Sequence, residues 1–465
     1  MPDILVVSDD VVGDKMAGPG IRVWELSRQL SRSFSVVLAI PDYSPPRSAR
    51  EQETGAFRIV RYGLSPSSAM RDIAGKSRVI IIQGYILSKM PFLKSLPAHL
   101  VCDLYVPFPL ENLFVHRLLT PHLRDRMRIH VHDLEVFNEQ LLCGDHFLCA
   151  NDRQRSLLLG ALLALDRIDP QTADATPSLD GLISVVPFGF SQEIEEAAAG
   201  TALRGVVPGV GNEDVLFLWG GVLSNWFDPL TLLRGIERAV RKDPRIKLVF
   251  LSTGHPNPLL PPFEMAGKAR RLSEELGLTG RHVFFHEDWV EYRRRGAFFG
   301  EADVGVYAHG DHVETAFAFR TRVLDYLKHG LPILATEGDS FAELIRNKRL
   351  GLVVPCGDAE AMADACLRLS ENASLRQDCR RNIFEVRPSF AWEATVAPLV
   401  AYCRRVLEGR MAKASKPSRS DLATVAGLKK PGFLERTAKN RLRGLAQKLP
   451  RGIVARLRSI MRKAG

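Results

Sequence analysis

The segment Glu314–Thr336 reads ETAFAFRTRVLDYLKHGLPILAT, and its pattern predicts the fold of the whole chain. We expect a helix from about Thr321 to His329 and, after a glycine and a proline, a short apolar strand at Ile333–Thr336. Apolar runs and amphipathic helical stretches alternate in the same way on both sides of this segment. Unbroken apolar runs of this kind are typical of a parallel sheet that helices cover on both faces.

The alternation forms two series, separated by a break at about Ser191–Asp214 that we interpret as a hinge. Strands of the first series are expected at Ile4–Ser8, Val36–Ile40, Arg58–Tyr62, Val79–Gln83, Leu100–Leu104, His146–Ala150 and Ile183–Pro187. Strands of the second are expected at Val215–Trp219, Lys247–Ser252, His282–His286, Val304–Tyr307, Ile333–Thr336 and Gly351–Val354. The segment His130–Asp133 is interpreted as the end of a helix or as a turn.

The fold class is therefore α/β, with two Rossmann-like, doubly wound domains that face each other across a cleft. We predict these domains at residues 1–200 and 206–388, a helix at 389–409 that crosses back to the first domain, and a basic tail at 410–465. Parallel sheets bind ligands outside the carboxyl ends of their strands. Dehydrogenases, epimerases, binding proteins and glycosyltransferases all share this plan, so the fold alone leaves the function open.

Composition narrows the class of protein. Hydrophobic residues make up 46% of the 465 residues and charged residues 25%, which is typical of a soluble globular protein. No apolar run approaches the ~20 residues that span a bilayer, and the N-terminal MPDILVVS does not resemble a secretory signal. Seven cysteines without a C-x-x-C pair favour a reducing compartment. We therefore expect a cytoplasmic protein.

The net charge of +10 is concentrated in the tail. Residues 410–465 contain sixteen Lys or Arg and two acidic residues, so the tail carries +14 and the remaining 409 residues carry −4. This distribution argues against a nucleic-acid-binding protein. Apolar residues recur at helical spacing on both sides of Pro450, which suits an anionic membrane surface at the inner face of the cytoplasmic membrane. A solvated tail and a nucleic-acid contact are the alternatives, the latter with one aromatic residue, Phe433.

Two glycine-containing loops follow predicted strands at the expected cleft. Gly18-Pro-Gly20-Ile-Arg22 would bring backbone N–H groups and a helix N-terminus close to an anion, with Arg22 adding charge. Trp219-Gly220-Gly221 permits the same close approach in the second domain, before a helix that Asp228 caps. An ordinary turn that starts a helix is the alternative in each case. Neither loop has the G-x-G-x-x-G spacing of a dinucleotide-binding protein.

The third candidate is the pair Arg322 and Asp325, which are three residues apart and so lie near one face of the predicted helix. A carboxylate can accept both hydroxyls of a ribose, and an arginine near a helix N-terminus can hold a diphosphate. A surface Arg–Asp pair is the alternative. Asp103 ends a strand of the first domain and faces the expected cleft, where it would either contact a bound ligand or act as a cap.

Within this frame, the segment Arg322–Glu343 resembles the signature of family-4 retaining glycosyltransferases with the GT-B fold. That signature is an acidic residue, an apolar run, Gly-x-Pro and a strand ending in Ala-Thr, then glycine and Glu-Ile. It stands in this chain as Asp325, Gly330-Leu-Pro332-Ile-Leu-Ala-Thr336, Gly338 and Glu343-Leu-Ile345. Three further segments match the family in order: Gly18–Arg22, Val185–Gly189 and Gly351–Asp358.

The resemblance implies transfer of a sugar, with retention, from a nucleotide diphosphate sugar to a glycan or lipid-linked acceptor of surface polysaccharide or glycoconjugate synthesis. It implies donor contacts by Gly18, Gly20, Arg22, Gly220, Gly221, Arg322 and Asp325, with Asp325 on the ribose, and an acceptor contact by Asp103. Phe317 replaces the first glutamate of the family's Glu-x7-Glu pair, so Glu314 is the substitute contact for the donor sugar. No Arg or Lys lies between Gly220 and Leu233, which leaves Arg320 and Arg322 as substitutes for the usual basic pair. Glu314 and Arg320 are therefore the predicted catalytic residues.

The predicted chemistry needs no cofactor and no metal. Negative charge grows on the departing diphosphate, and helix N-termini together with arginine can stabilise it. The chain has no D-x-D motif, which argues against a metal-bridged diphosphate. Two alternatives remain open, a nucleotide-sugar epimerase on the same fold and an inactive GT-B scaffold that binds a nucleotide sugar or a partner.

Overall fold

The computed structural model describes residues 2–13, 16–42, 55–63, 68–119, 122–191, 202–251, 263–287, 290 and 294–413. The predicted tail from residue 414 onward and residues 192–201 of the predicted hinge lie outside these ranges. The predicted contact between the tail and a membrane therefore rests on the sequence alone.

The described residues form two all-parallel sheets, one of seven strands and one of six. The first has the order β3-β2-β1-β4-β5-β6-β7 and the second the order β10-β9-β8-β11-β12-β13. The first sheet consists of β1 (Ile4–Val7), β2 (Val36–Pro41), β3 (Arg58–Tyr62), β4 (Val79–Gln83), β5 (His99–Asp103), β6 (His146–Cys149) and β7 (Ile183–Val185). The second consists of β8 (Val215–Trp219), β9 (Ile246–Phe250), β10 (Val283–Phe285), β11 (Val304–Tyr307), β12 (Ile333–Thr336) and β13 (Gly351–Val354). Both sheets confirm the predicted doubly wound plan.

Helices cover both faces of each sheet. Those of the first half are α1 (Gly18–Leu30), α2 (Ser68–Lys76), α3 (Ile86–Lys89), α4 (Phe108–Leu119), α5 (Leu123–Cys143), α6 (Asp152–Ala164) and α7 (Pro170–Ala175). Those of the second half are α8 (Pro229–Val240), α9 (Glu264–Glu275), α10 (Arg295–Glu301), α11 (Val313–Phe317), α12 (Arg322–His329), α13 (Ser340–Lys348), α14 (Ala359–Glu371), α15 (Ala373–Val386), α16 (Trp392–Thr395) and α17 (Ala397–Leu407). The interpretation of His130–Asp133 as a helix end is wrong, because these residues lie in the middle of the 21-residue α5.

The central strands form at apolar runs of the sequence, whereas the edge strand β3 exposes Arg58 and Arg61. Every residue of β1, β4, β8 and β12 is buried, as in a sheet packed on both faces. In each sheet the strand order reverses beside the first strand, between β1 and β4 and between β8 and β11. Such reversal points leave a crevice at the carboxyl ends of the strands, and the two crevices face each other here.

The final described helices return to the first sheet, as the sequence predicts. Trp392 is fully buried, and its backbone N–H donates to the carbonyl of Phe190 at 3.2 Å. Farther along, the ring of Tyr402 on α17 stacks on His146 of β6 with 3.9 Å between centroids. This return packs the end of the second half against the first and helps to hold the cleft. None of the described helices is both long enough and apolar enough to cross a membrane.

Candidate active site

A cavity of about 410 Å³ lies between the two domains. Its walls come from the carboxyl ends of strands in both sheets and from the loops and helices that follow them. Seven of the ten predicted site residues line it: Gly18, Gly220, Gly221, Glu314, Arg320, Arg322 and Asp325. The three others, Gly20, Arg22 and Asp103, are not among its lining residues.

The two glycines after β8 have different roles. A Cβ on Gly220 would come within 2.7 Å of the ring of Phe299, and the Gly220 N–H donates to the Tyr326 hydroxyl at 2.9 Å. Gly220 is therefore required for packing. Gly221 has a φ of +115°, which disfavours any residue with a side chain, and open space surrounds its α-carbon. Gly221 is thus the residue whose backbone a ligand can approach.

Arg322 is the cation beside this loop. Its guanidinium carbon lies 4.0 Å from the ring centroid of Phe227 and 4.7 Å from that of Trp219. Nη2 donates to the Val222 carbonyl at 3.1 Å, whereas Nη1 is buried and has no hydrogen-bond partner within the described part of the chain. Burial lowers the pKa of Arg322 to about 10, so the group stays charged at neutral pH. A buried guanidinium with one unused nitrogen is suited to bind an anion.

Arg320 and Glu314 form a buried ion pair at the cavity wall. Arg320 Nη1 and Nη2 donate to the two carboxylate oxygens of Glu314 at 2.9 and 2.8 Å. Burial alone would lower the pKa of Arg320, but the charge of Glu314 and its hydrogen bonds outweigh burial and raise it. Behind the pair, Asp339 Oδ2 lies 3.9 Å from Arg320 Nε and 3.4 Å from His309 Nε2. Each predicted catalytic residue is thus held in place by its partner.

Asp325 also faces the cavity, as predicted, and it has a basic neighbour that the sequence did not reveal. Arg295 Nη1 lies 3.8 Å from Asp325 Oδ2, and both residues line the cavity. Arg295 begins α10, which is separated from the helix of Asp325 by one strand and one helix along the chain. No local motif marks Arg295, and only the packing of α10 against α12 brings it to the site.

Residues 214–372 match the family model described as Glycosyl transferases group 1. Over the whole fold, the chain superposes on sucrose-phosphate synthase from Thermosynechococcus elongatus with a TM-score of 0.61 at 14% identity, covering 87% of this chain and 99% of that one. The protein has the GT-B fold. The Anabaena protein HepE in complex with UDP-glucose gives a TM-score of 0.59 at 12% identity, covering 88% of this chain and 99% of that one.

Among curated proteins, sucrose-phosphate synthase of Zea mays is 34% identical over 89 residues. That match spans 18% of this chain and 8% of the relative, so the chain aligns with a small part of that protein. These comparisons show that residues 214–372 match the group 1 glycosyltransferase model and that the chain has the GT-B fold, in agreement with the resemblance that the motifs indicate. They leave assignment to family 4 as a prediction.

In the first GT-B domain, Arg22 and Asp103 lie behind the cleft wall. Arg22 Nε and Nη2 donate to the two Asp103 oxygens at 2.6 and 2.8 Å, and Nη2 also donates to the Val186 carbonyl at 2.9 Å. Both side chains are buried, and the guanidinium also lies over the ring of Tyr105 at 4.7 Å. Arg22 and Asp103 were predicted as two separate ligand contacts, but they bind each other and do not line the cavity. Within the described residues Arg22 Nη1 is buried and has no hydrogen-bond partner.

Gly20 likewise has a packing role, whereas Gly18 faces the cleft. A Cβ on Gly20 would lie 2.1 Å from the Val11 carbonyl oxygen, which no side chain can tolerate. At Gly18 the nearest atom to an added Cβ is on Phe188, 3.9 Å away. The glycine loop of the first domain therefore resembles that of the second, with one glycine for packing and one at the cavity.

Four first-domain residues with carboxyl or amide groups also line the cavity, and sequence reasoning missed all of them. They are Asp10, Glu111, Asn112 and Gln154. The pKa of Glu111 is raised to about 7, chiefly by burial and in smaller part by the charge of Glu314, while Arg320 opposes the shift. Glu111 lies in the first turn of α4, two residues after Pro109, and this position at a helix start was the available signal.

The two domains are hydrogen-bonded to each other beside the cavity. Gln154 Nε2 donates to the carbonyls of Tyr105 and Phe317, each at 2.8 Å, and so joins a loop of one domain to α11 of the other. Arg153 Nη1 donates to the carbonyls of Ala316 and Gly338 at 3.0 and 2.7 Å. Phe317, which replaces the family's first glutamate, is thus held through its backbone. The described residues contain no cluster of three or more metal-ligating side chains.

Proposed function

We propose that this protein is a retaining, metal-independent glycosyltransferase that uses a nucleotide diphosphate sugar. The observation that carries the proposal is the buried guanidinium of Arg322, with its unpartnered Nη1, beside the open backbone of Gly221 in a GT-B cleft. Charge and hydrogen-bond donors at this place suit the diphosphate of a donor. The UDP-glucose complex of the structural neighbour HepE supports a nucleotide sugar as the ligand of this fold.

In this proposal Arg322 binds the diphosphate, as a pair of basic residues after β8 does in the family that the motifs resemble. Its stacking on Trp219 and Phe227 fixes the plane of the guanidinium, so little side-chain entropy remains to be lost on binding. Negative charge grows on the diphosphate as the glycosidic bond breaks, and a pre-oriented cation stabilises that charge. Asp325 lies in the first turn of the same helix, and we assign it to the ribose hydroxyls.

In the proposed reaction the acceptor oxygen attacks the anomeric carbon on the face from which the diphosphate leaves. The bond from that carbon to the phosphate oxygen breaks, the bond to the acceptor oxygen forms, and the acceptor proton passes to the departing phosphate. This route retains the configuration of the anomeric carbon, and it requires no protein base to deprotonate the acceptor. Glu314 and Arg320 are held rigidly by each other, and we assign them to the hydroxyls of the donor sugar.

The proposed acceptor is a glycan or a lipid-linked sugar at the inner face of the cytoplasmic membrane. The basic, amphipathic sequence of residues 410–465 supports this location through attraction to anionic lipids. Glu111 and Asn112 on the first-domain side of the cavity are the polar groups available to such an acceptor.

An inactive GT-B scaffold is the second candidate, and two observations favour it. Phe317 replaces the first glutamate of the family pair. Arg320 is committed to Glu314, so Arg322 is left as the replacement for two basic residues. Such a protein would bind the nucleotide sugar without turning it over.

Thermal denaturation of the full chain with a panel of nucleotide diphosphates and their sugars, in EDTA, tests the proposal. A ligand at 100 times its dissociation constant stabilises a protein by roughly 2.7 kcal/mol, which the assay resolves. We expect a shift that Arg322→Ala and Asp325→Ala abolish and that Arg346→Ala, a surface arginine paired with Glu337, retains. No shift with any nucleotide refutes the proposal, and a shift without release of nucleotide diphosphate in the presence of acceptors supports the scaffold.

A further inference from the structure

The charges that line the interdomain cavity are divided between its two walls. The second-domain wall has three arginines and two carboxylates, which sum to a formal charge of +1: Arg295, Arg320, Arg322, Glu314 and Asp325. The first-domain wall has two carboxyl residues, Asp10 and Glu111, and no cation among its described residues, so its formal charge is −2. An anion that enters the cavity is therefore attracted by the charged side chains of one wall only.

The amide of Asn112 on the first-domain wall is held in one orientation. Asn112 Nδ2 donates to Asp133 Oδ2 at 2.8 Å and to the Tyr85 hydroxyl at 3.1 Å, and this hydroxyl donates to Asp133 Oδ1 at 2.7 Å. A carboxylate only accepts hydrogen bonds, so the buried Asp133 selects the NH2 side of the amide. Burial and the hydrogen bond to Asp133 raise the pKa of Tyr85, so its hydroxyl keeps the proton that it donates.

The oxygen of this amide is consequently the group that remains for a ligand. Asn112 lines the cavity, and both of its N–H bonds are used by the Asp133 carboxylate and the Tyr85 hydroxyl. Asn112 Oδ1 accepts no hydrogen bond within the described part of the chain. An amide oxygen with two free lone pairs is suited to accept from a hydroxyl group.

The other amide and carboxyl groups of this wall differ in whether they are already used. Gln154 is fully used, because its Oε1 accepts from the Ala150 N–H at 2.7 Å and its Nε2 joins the two domains. The Glu111 carboxyl forms no hydrogen bond or ion pair with the described residues. Because its pKa is about 7, it is mostly ionised at about pH 8. Glu111 and Asn112 thus offer two oxygen acceptors on consecutive residues of α4.

These groups match a sugar hydroxyl and oppose an anion. A hydroxyl has a hydrogen to donate to Asn112 Oδ1 or to Glu111, whereas a carboxylate or phosphate has none and meets the like charges of this wall. Repulsion of this kind confers specificity by rejecting the wrong ligand. The start of α1 at Gly18 is the anion-favouring feature on this side, and the motifs assign Gly18 to the donor.

We propose that the acceptor unit inside the cavity is an uncharged sugar whose hydroxyls donate to Asn112 Oδ1 and Glu111, and that a unit bearing carboxylate or phosphate is excluded. Asn112 and Glu111 are then specificity-determining residues. Asp133 and Tyr85 are positioning residues, because they act on the ligand by fixing the Asn112 amide. The inference rests on the proposed function, which makes this wall the acceptor side, and it concerns the unit in the cavity rather than the rest of a longer acceptor.

Saturation-transfer NMR of the full chain at about pH 8 tests the proposal, because it detects weak sugar binding without turnover. The probes are methyl glycosides of the gluco, galacto and manno series, with the corresponding uronates and 2-amino sugars. Excess inorganic pyrophosphate occupies the arginines of the second domain, and thermal denaturation reports its binding separately. We expect the neutral glycoside that binds best to bind at least about tenfold more tightly than its uronate.

Variants assign this preference to the wall. Glu111→Gln removes the charge at nearly constant size and should abolish most of the preference, whereas Glu360→Gln, at an exposed glutamate, should retain it. Asn112→Ala should weaken the neutral glycoside by about threefold to tenfold. Asp133→Asn should do the same, because its NH2 group lets the Asn112 amide turn over. The thermal shift with pyrophosphate should persist in both, which a merely structural defect would not allow.

Four results overturn the proposal. Uronates that bind as tightly as the neutral glycosides show that the wall does not reject anions, and a preference unchanged in Glu111→Gln and Asn112→Ala shows that these residues do not set it. Tighter binding of a 2-amino sugar reassigns the wall to a cationic unit. Absence of binding by every glycoside shows that the wall does not recognise a sugar. Failure of the proposed function appears elsewhere, as the absence of a thermal shift with pyrophosphate or any nucleotide.

Discussion

Glu111 provides a quantitative test of the electrostatics of the cleft. Glu111 lines the cavity, and its pKa is raised from 4.5 to about 7, chiefly by burial and in smaller part by the charge of Glu314, while Arg320 opposes the shift. Between these two values the folded protein holds a proton that the unfolded chain has released. Glu111→Gln replaces the carboxyl by a neutral amide of nearly the same size and removes this difference.

The sign of the effect follows from proton linkage. An acid whose pKa is raised on folding makes the folded state bind more protons, so the free energy of unfolding falls as the pH rises. This contribution is fully present below the unfolded value near 4.5 and is lost as the pH passes through about 7. With these two values, wild-type protein loses roughly 2.5 kcal/mol between about pH 5 and about pH 8 through Glu111 alone.

Urea denaturation of the wild type and of Glu111→Gln at both pH values measures this contribution. The stability difference between the two proteins should move by roughly 2.5 kcal/mol in favour of the variant at the higher pH. Glu360 is an exposed glutamate in the first turn of α14. Glu360→Gln is therefore the control for the general effect on stability of replacing a glutamate by glutamine. If wild type and Glu111→Gln lose equal stability between the two pH values, Glu111 is not shielded from water by the cleft and the reasoning is wrong.

Two further predictions concern the framework behind the site. Asp103→Ala leaves the buried guanidinium of Arg22 without its carboxylate, so we expect a loss of about 3–5 kcal/mol in urea denaturation. Nucleotide binding by the folded fraction should persist, and its loss would show that Asp103 contacts the ligand after all. Gly220→Ala pushes a methyl group into the ring of Phe299, 2.7 Å from the new carbon, and should cost about 1–3 kcal/mol. Gly300→Ala, where an added Cβ meets open space, is its control, and equal stability of the two variants would contradict the packing role of Gly220.

The interdomain hydrogen bonds explain how a cleft built from two separately folded sheets keeps a defined shape. Gln154 is buried, and its amide joins Tyr105 of one domain to Phe317 of the other. Residues that meet across the cavity, such as Glu111 and Glu314, are therefore held at a spacing at which their charges interact.

The local pattern of the sequence was sufficient to predict the strands, the two-sheet plan and the places of the glycine loops. The reason is that a buried parallel strand needs an uninterrupted apolar run, and a helix that starts at a ligand site needs small residues before it. The same local logic predicted that Arg322 and Asp325 share one helix face, and both line the cavity.

Only the tertiary structure decided which charged groups face the ligand and which face each other. Arg22 and Asp103 are 81 positions apart and satisfy each other behind the wall, whereas Arg320, two residues before Arg322, pairs with Glu314. Glu111 and Arg295 reach the cavity through packing of whole helices. A buried charge must find a partner somewhere in space, and a linear sequence determines which residues are charged but not which of them will meet.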